Sequence, residues 1–388
     1  AVRMLGPRMI VHRQDIYTKG EYRAEHPEGF LAGSYEKHFD GREHLTHRQY
    51  LYLTLAGNDA TTRQVSDTSI FGLSSPDSKQ LGKDLGLLLA KAAEFESVLS
   101  ARGRYALERL SDEQTAALMD AHLRLHNDDG IYSDLQVSGK RVMSGERCLW
   151  AYSISKSGAL PSSITPSRRS ELVSGTSSGL HSCTAAAIGP LLDCEHMVNT
   201  YIFTVNQHEN AREMDGRKRR MTSMSKNAEN KVGSEELEEF MNLCHKENLI
   251  CIKAHTNILV WGKEDEDQQL RGKVSSALAG MNIVCVQDTY STPVLWASAF
   301  PGAAGELSVD NLMTRELKNF LCLGINETYD EGIPGGAMKM CDRFRNIPVR
   351  IDLQAAAYQA GLIDNYNAFI LGGSGTGKSF FTNFFVRS

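Results

Sequence analysis

The chain has 388 residues, of which 41% are hydrophobic and 23% charged, with a mean hydropathy of -0.32 and a formal net charge of -5. These values are typical of a water-soluble protein with a substantial core and room for about two or three domains. They exclude a small disulfide-stapled module, and no apolar run approaches the ~18 residues of a membrane-spanning helix. The acidic balance argues against nucleic-acid binding over the whole surface, so we predict no direct nucleic-acid contact for the front region.

The eight cysteines are scattered along the chain, and no two form a Cys-x-x-Cys pair. This distribution indicates reduced thiols and a cytoplasmic protein. Residues 1–15 contain several basic and polar side chains without a central apolar segment, so they do not resemble a signal peptide. Membrane association is therefore expected only through a partner or a surface.

Residues 1–147 are expected to form an N-terminal α+β region. Strand-like pieces lie at 9–11 and 49–55, where β-branched and aromatic residues are frequent. Leucines at intervals of three to four residues predict a long amphipathic helix between 77 and 110. A second helix is predicted to begin at a capping box formed by Ser111 and Gln114.

Strand-like and helical patterns alternate in the next region, 148–300. Strands are predicted at 148–155, 198–205, 250–261 and 283–286, helices at 207–247 (in two parts) and 264–281, and an exposed Ser/Thr/Gly-rich loop at 157–187. This order favours a ferredoxin-like sandwich, an antiparallel sheet with helices on one face, in which 148–155 is a possible fourth strand. The polar, glycine-rich stretch 301–348 is interpreted as a linker to a nucleotide-binding domain that starts near Val349.

The segment that carries recognisable chemistry lies at the end of the chain. An apolar run at 368–371 predicts a buried strand at about 366–371, and phenylalanines at 380, 381, 384 and 385 predict one face of a helix. Between them lies a glycine-rich loop made of Gly372, Gly373, Ser374, Gly375, Thr376, Gly377, Lys378 and Ser379. This order of strand, loop and helix is typical of a phosphate-binding loop, and a simple glycine-rich turn is the plainer alternative.

Each residue type in such a loop has a chemical reason. Glycines allow the backbone to curl so that several N–H groups point at a phosphate. Lys378 is expected to reach the β- and γ-phosphates, and the hydroxyl of Ser379 is expected to be a ligand of Mg²⁺. We therefore predict ATP and Mg²⁺ as cofactors, with all eight loop residues in contact with the nucleotide.

A hydrolysing P-loop enzyme also needs an acidic residue that holds Mg²⁺ and a group that orients the attacking water. The chain does not start with Met and ends at Ser388, soon after the loop. We therefore expect it to be part of a longer protein. No catalytic residue is predicted within it, and the chain alone is expected to be inactive in hydrolysis.

Several phrases of the sequence together resemble the TraG-family conjugation ATPases, which belong with the VirB/TrbE/CagE-type ATPases of type IV secretion. These phrases lie at 34–39, 160–164, 189–196, 257–261 and 369–381. The resemblance covers nearly the whole chain. The family usually has Pro and Ser where this chain has Gly373 and Thr376, and both are variable positions of the loop.

The resemblance implies an α/β protein in which the truncated start of a RecA-like P-loop NTPase domain, 349–388, follows the mixed α+β front. It also implies a cytoplasmic ATPase, peripheral at the inner face of the inner membrane, which docks to inner-membrane components of the conjugation machinery and forms homo-oligomers, hexamers in full-length relatives. ATP hydrolysis would then energise assembly and DNA transfer.

Two alternatives remain open at this stage. The P-loop can belong to another motor of the helicase or packaging type. The isolated chain can also work as a non-enzymatic docking module. Partner identity, the oligomeric state of the chain and any contact of the front region with DNA or lipid do not follow from the sequence.

Overall fold

The computed structural model divides the chain into two compact units. The first contains residues 1–16, 48–192 and 196–326, and the second contains residues 17–47, 193–195 and 327–388. The structure describes residues 1–24, 30–56, 78–101, 105–127, 134–154, 160–161, 164–170, 180–224, 228–307, 309–327, 332–333, 338–341 and 348–387. Parts of the predicted loop 157–187 and linker 301–348 therefore lie outside the described residues.

Thirteen strands are found in the described part of the chain. They are β1 Met9–Glu21, β2 Glu43–Leu55, β3 Leu135–Val137, β4 Val142–Ser144, β5 Arg147–Ser153, β6 Ser167–Ser170, β7 Leu180–Cys183, β8 His196–Thr204, β9 Cys251–Lys263, β10 Gln287–Asp288, β11 Met313–Glu316, β12 Met338–Cys341 and β13 Pro348–Ile351. Nine of them form one sheet in the order β2-β1-β8-β9-β5-β4-β3, with β10 on β5 and β11 on β9.

The same part of the chain contains ten α-helices. They are α1 Phe30–Phe39, α2 Ser78–Ser100, α3 Asp112–Leu123, α4 Gln207–Ser223, α5 Ala228–Glu247, α6 Asp267–Gly280, α7 Thr292–Ser298, α8 Leu317–Leu321, α9 Ala355–Gln359 and α10 Lys378–Arg387. The capping box of α3 is formed as predicted, since the side chains of Ser111 and Gln114 each bond the other's backbone N–H.

The centre of the large sheet is antiparallel, as predicted. Strand β9 pairs with β8 on one side and with β5 on the other, and β10 pairs with the far edge of β5. Thus β9 separates two strands that precede it in the chain, which is the arrangement of a split crossover. The helical hairpin α4–α5 connects β8 to β9, and α6 lies between β9 and β10.

The hydrophobic core of the first unit lies on this sheet. Side chains of β5, β8 and β9 pack with those of α7, and Leu149, Met197, Leu259, Trp261 and Leu295 are all at most 3% exposed. Strand β9 is buried along most of its length because it is central in the sheet. Its apolar run 258–261 is the pattern expected of a strand covered on both faces, whereas residues 253 and 255–257 of the same strand are buried polar side chains.

Strand β1 is much longer than the predicted piece at 9–11. The sequence pattern missed its polar part because polar side chains there are buried in a hydrogen-bond network. His12 Nε2 and Asn199 Oδ1 are 2.9 Å apart, and Gln14 donates to the same oxygen. Asn199 in turn donates to Asn257 Oδ1. A hydrogen-bonded amide can be buried at little cost, whereas the sequence pattern treats it as a surface residue.

Three further predictions are corrected by the described residues. The helix expected at 77–110 ends at Ser100, and residues 105–110 are not helical. The strand expected at 283–286 is not formed, and the chain joins the sheet only at β10. Strand β11, which comprises residues 313–316 of the segment interpreted as a linker, pairs with β9, so these four residues belong to the sheet. The pattern missed β11 because four residues are too few to show a period.

In the second unit, β12 and β13 form an antiparallel hairpin. The ammonium of Lys339 on β12 contacts the carboxylate of Glu36 on α1 and the hydroxyl of Tyr22. Lys339 and Glu36 are both nearly fully buried. Their pairing satisfies two charges that would each be costly to bury alone. The expected boundaries of the domains at 147, 300 and 348 stay a prediction.

Candidate nucleotide-binding site

The glycine-rich loop has the predicted local structure on its C-terminal side. Residues 374–377 form a turn, and α10 begins at Lys378, as expected from the motif. Within the described residues, however, the strand expected at 366–371 is not formed. A strand is held by hydrogen bonds to a neighbouring strand, and none of the described strands lies beside this segment.

Two glycines provide the left-handed backbone that the turn requires. Gly375 has φ +78° and Gly377 has φ +82°, a region that costs other residues roughly 1–2 kcal/mol. Gly372 is needed for a different reason. A Cβ atom at this position would lie 2.7 Å from Thr376 Oγ1 and 3.2 Å from Lys378 Cγ, so the loop closes tightly over it.

The ammonium of Lys378 lies across the inside of this loop. Its Nζ atom donates to the carbonyl oxygen of Gly372 at 2.5 Å and also to that of Gly373. The side chain therefore folds back over the loop and does not extend into solvent. This is a position from which an ammonium can meet a phosphate held by the loop.

Thr376 closes the loop from its other side. Its Oγ1 donates to the carbonyl oxygen of Gly373 at 2.8 Å. Thr376 occupies a variable position of the loop, and the sequence signal for this contact is a hydroxyl side chain three residues after a glycine. Ser374 and Ser379 are exposed, so both hydroxyls are accessible to a ligand.

The start of α10 completes the site. The first intrahelical bond joins Phe381 N–H to the Gly377 carbonyl, which leaves the preceding N–H groups without intrahelical partners. Together with the helix dipole, these groups favour an anion at this end of the helix. The geometry of the loop thus fits a bound phosphate with Lys378 beside it and Ser379 within reach of a metal ion.

Large apolar side chains surround the loop. Phe369 is 87% exposed, Leu371 84% and Phe380 79%. Phe381 and Phe385 are half-buried, and the side chain of Phe384 lies outside the described part of the chain. The three phenylalanines of α10 whose side chains the structure describes are therefore all at least partly exposed.

The glycine-rich loop, Lys378 and the start of α10 together have the features of a P-loop, the phosphate-binding segment of nucleotide-binding proteins. Comparison with protein families then gives a more specific result: residues 337–388 match the family model of the TraG P-loop domain. The resemblance to TraG-family conjugation ATPases is thus confirmed by this segment. No curated protein matches the chain.

Among the helices in the described ranges, none is both long enough and apolar enough to cross a bilayer.

Proposed function

We propose that the loop from Gly372 to Ser379 binds ATP with Mg²⁺. The observation that carries this proposal is the position of Lys378 Nζ, 2.5 Å from the Gly372 carbonyl, inside a loop whose turn uses Gly375 and Gly377 at positive φ. The backbone N–H groups and the lysine would hold the phosphates, and the Ser379 hydroxyl would be a ligand of the metal ion.

The protein that carries this chain is proposed to be a conjugation ATPase of the type IV secretion class. ATP hydrolysis by that protein energises assembly of the apparatus and transfer of DNA. The match of 337–388 to the TraG P-loop domain supports this proposal. The front region docks to inner-membrane components of the machinery, the protein is cytoplasmic and peripheral at the inner face of that membrane, and it works as a homo-oligomer.

The finer fold of each region belongs to the same proposal. The order β10-β5-β9-β8 supports a ferredoxin-like sheet that is extended by β1 and β2. The P-loop segment is proposed to start a RecA-like domain. In such a domain 366–371 would be a strand buried between parallel neighbours, which agrees with its apolar sequence.

DNA transfer between cells tests the proposed function. Lys378→Ala in the protein that carries this chain should abolish transfer, because the substitution removes the phosphate contact and touches no core residue. Lys246→Ala removes an exposed lysine of α5 and should leave transfer unchanged. Both variants must accumulate to the wild-type level. Normal transfer by Lys378→Ala would refute the proposed role.

A further inference from the structure

Two cysteines lie side by side where the helical hairpin α4–α5 returns to the large sheet. Cys244 is in the last turn of α5, and Cys251 is the first residue of β9. Their sulfur atoms are 3.5 Å apart, and both thiols are free. Neither cysteine belongs to the loop 372–379, so an inference about this pair is independent of the proposed ATP site.

The chain reversal between α5 and β9 brings the two side chains together. Asn248, directly after the helix, has a left-handed backbone conformation with φ +50°. Leu249 N–H donates to the carbonyl oxygen of Cys244 at 3.0 Å. This combination is a common way to end a helix. The contact of the two sulfurs is therefore set by the backbone of a short segment, 244–251.

The backbone of Cys251 is held from two sides. Gln207, the first residue of α4, accepts the Cys251 N–H at Oε1 and donates from Nε2 to the Cys251 carbonyl oxygen, both at 2.9 Å. On the other side, Cys251 is in register with Glu316 of β11. Both ends of the hairpin α4–α5 thus meet the sheet at Cys251, one through Gln207 and one through Cys244.

The two thiols differ in their access to solvent. Cys251 is 3% exposed, whereas Cys244 is only partly buried. A small oxidant therefore reaches Cys244 first, with the Cys251 sulfur already in contact behind it. Within the described ranges, no group of three or more His, Cys, Asp or Glu side chains is arranged to hold a metal ion. The pair thus lacks there the further ligands of a structural zinc site.

We infer that Cys244 and Cys251 form a reversible disulfide in response to a small disulfide oxidant such as glutathione disulfide. The Cys244 thiolate attacks one sulfur of the oxidant and releases one glutathione thiolate, which leaves a mixed disulfide at Cys244. The Cys251 thiolate then attacks the Cys244 sulfur and releases the second glutathione. The two protein thiols give up two electrons and two protons, and the oxidant takes up both as two thiols.

The geometry requires only a small adjustment. The sulfur atoms of a disulfide are ~2.05 Å apart, so these two must approach each other by about 1.5 Å. Rotation about the Cα–Cβ bond of the partly exposed Cys244 moves its sulfur while the backbone of Cys251 stays bonded to Gln207. The new bond ties the end of α5 to the start of β9. In the reducing cytoplasm proposed for this protein, it would form only transiently.

Mass spectrometry of the intact chain tests the inference. The fully reduced protein is incubated with glutathione disulfide at pH 8.5, blocked with N-ethylmaleimide and digested with trypsin. Cleavage after Lys246 places the two cysteines in different peptides, so their disulfide appears as a linked pair that dithiothreitol separates. We expect this pair to be at least tenfold more abundant than any link from Cys244 to another cysteine.

Three variants locate the bond. Cys244→Ser and Cys322→Ser are the matched pair, since both thiols are partly buried. Cys244→Ser should abolish the link, and Cys322→Ser should leave its yield within twofold of the wild type. Cys251→Ser removes the second nucleophile, so Cys244 should remain as the mixed disulfide with glutathione. Circular dichroism checks that the variants are folded.

Hydrogen exchange measures what the bond does to the structure. Residues 245–248 of the reversal are exposed, and 249 and 250 are partly buried. Amide exchange of 245–250 should slow at least threefold on oxidation, because the ends of the reversal are then tied. Cys244→Ser after the same treatment should exchange as before.

The inference is overturned if the linked pair does not form in the folded chain, where the exposed Cys341 reports that the oxidant is active. It is also overturned if the link forms only in urea, or if Cys322→Ser removes it, because Cys244 then reacts with a different partner. Unchanged exchange of 245–250 after complete linkage would overturn the structural role of the bond.

Discussion

The Lys378 ammonium and the Gly372 carbonyl oxygen are in direct contact, with 2.5 Å between Nζ and O. The contact links the last part of the loop to its first residue. A positive charge is therefore already placed among the loop's backbone groups, and a phosphate would replace two neutral carbonyl acceptors of the ammonium with negatively charged oxygens. Such exchange favours the nucleotide because its phosphate oxygens carry a full negative charge.

Gly377 should not tolerate alanine. Gly377→Ala places a side chain at φ +82° and should weaken nucleotide binding about tenfold or more, given a strain of roughly 1–2 kcal/mol. Gly272→Ala is the control, since Gly272 lies in α6, outside the loop, and an added Cβ there has nothing within 4 Å. Titration with a fluorescent ATP analogue measures both. Equal effects of the two substitutions would contradict the observed loop conformation.

Acid should destabilise the first unit through buried histidines. Burial lowers the pKa of His12 and His126 to about 3, and that of His122 and His255 to about 4. In the unfolded chain these rings titrate near 6.5, so below that pH the unfolded state binds more protons. The free energy of unfolding should therefore be highest above pH 6.5, where these rings are neutral in both states, and should decrease as the pH falls towards 4.

Urea unfolding at pH 7.5, 6 and 5 checks this dependence. The variant His122→Phe keeps a ring against Trp296 and Phe300 but cannot titrate, so its stability should decrease less steeply with acid than that of the wild type. A wild type that is equally stable at pH 7.5 and 5 would show that the rings are not buried as neutral groups.

The N-terminus of α3 should depend on its capping box. Ser111→Ala removes the acceptor of the Gln114 N–H and should lower the free energy of unfolding by about 1 kcal/mol. Ser97→Ala, at an exposed position inside α2, should change it by less than about 0.5 kcal/mol. Urea denaturation of both variants at pH 7.5 gives the comparison. Equal losses in the two variants would contradict the cap.

The cysteines should differ widely in reactivity. Burial raises the pKa of the Cys251 thiol to about 12, and its sulfur lies 3.5 Å from that of Cys244, whose pKa burial also raises. Cys341 is exposed. Since the thiolate is the reactive form, iodoacetamide at pH 7.5 should label Cys341 first and Cys251 much more slowly, by peptide mass spectrometry. Early labelling of Cys251 would contradict its burial.

The elements that could be predicted are those whose own residues carry the signal, either as an apolar run or as a local capping pattern. Strands β8 and β9 include the apolar runs 201–203 and 258–261, and the capping box of α3 is a local signal, so these elements were found. The polar part of β1 was missed because the partners of His12 and Gln14, such as Asn199, lie almost 190 residues away. Short-range patterns cannot report hydrogen bonds between such distant residues.

The candidate site shows the same division. The loop and the start of α10 follow from local residue types, because the glycines and the lysine that form the loop all lie within the eight residues 372–379. The strand at 366–371 depends on neighbouring strands and was not formed beside the described ones.

Nucleotide affinity of the purified chain tests the central claim most directly. Titration of a fluorescent ATP analogue with Mg²⁺ into the wild type, Lys378→Ala and Lys246→Ala compares the loop lysine with an exposed lysine of α5. We expect saturable binding by the wild type and Lys246→Ala, and at least tenfold weaker binding by Lys378→Ala, because only Lys378 lies within the loop. Equal affinity of all three proteins, or no binding by the wild type, would contradict the assignment of residues 372–379 as a nucleotide site.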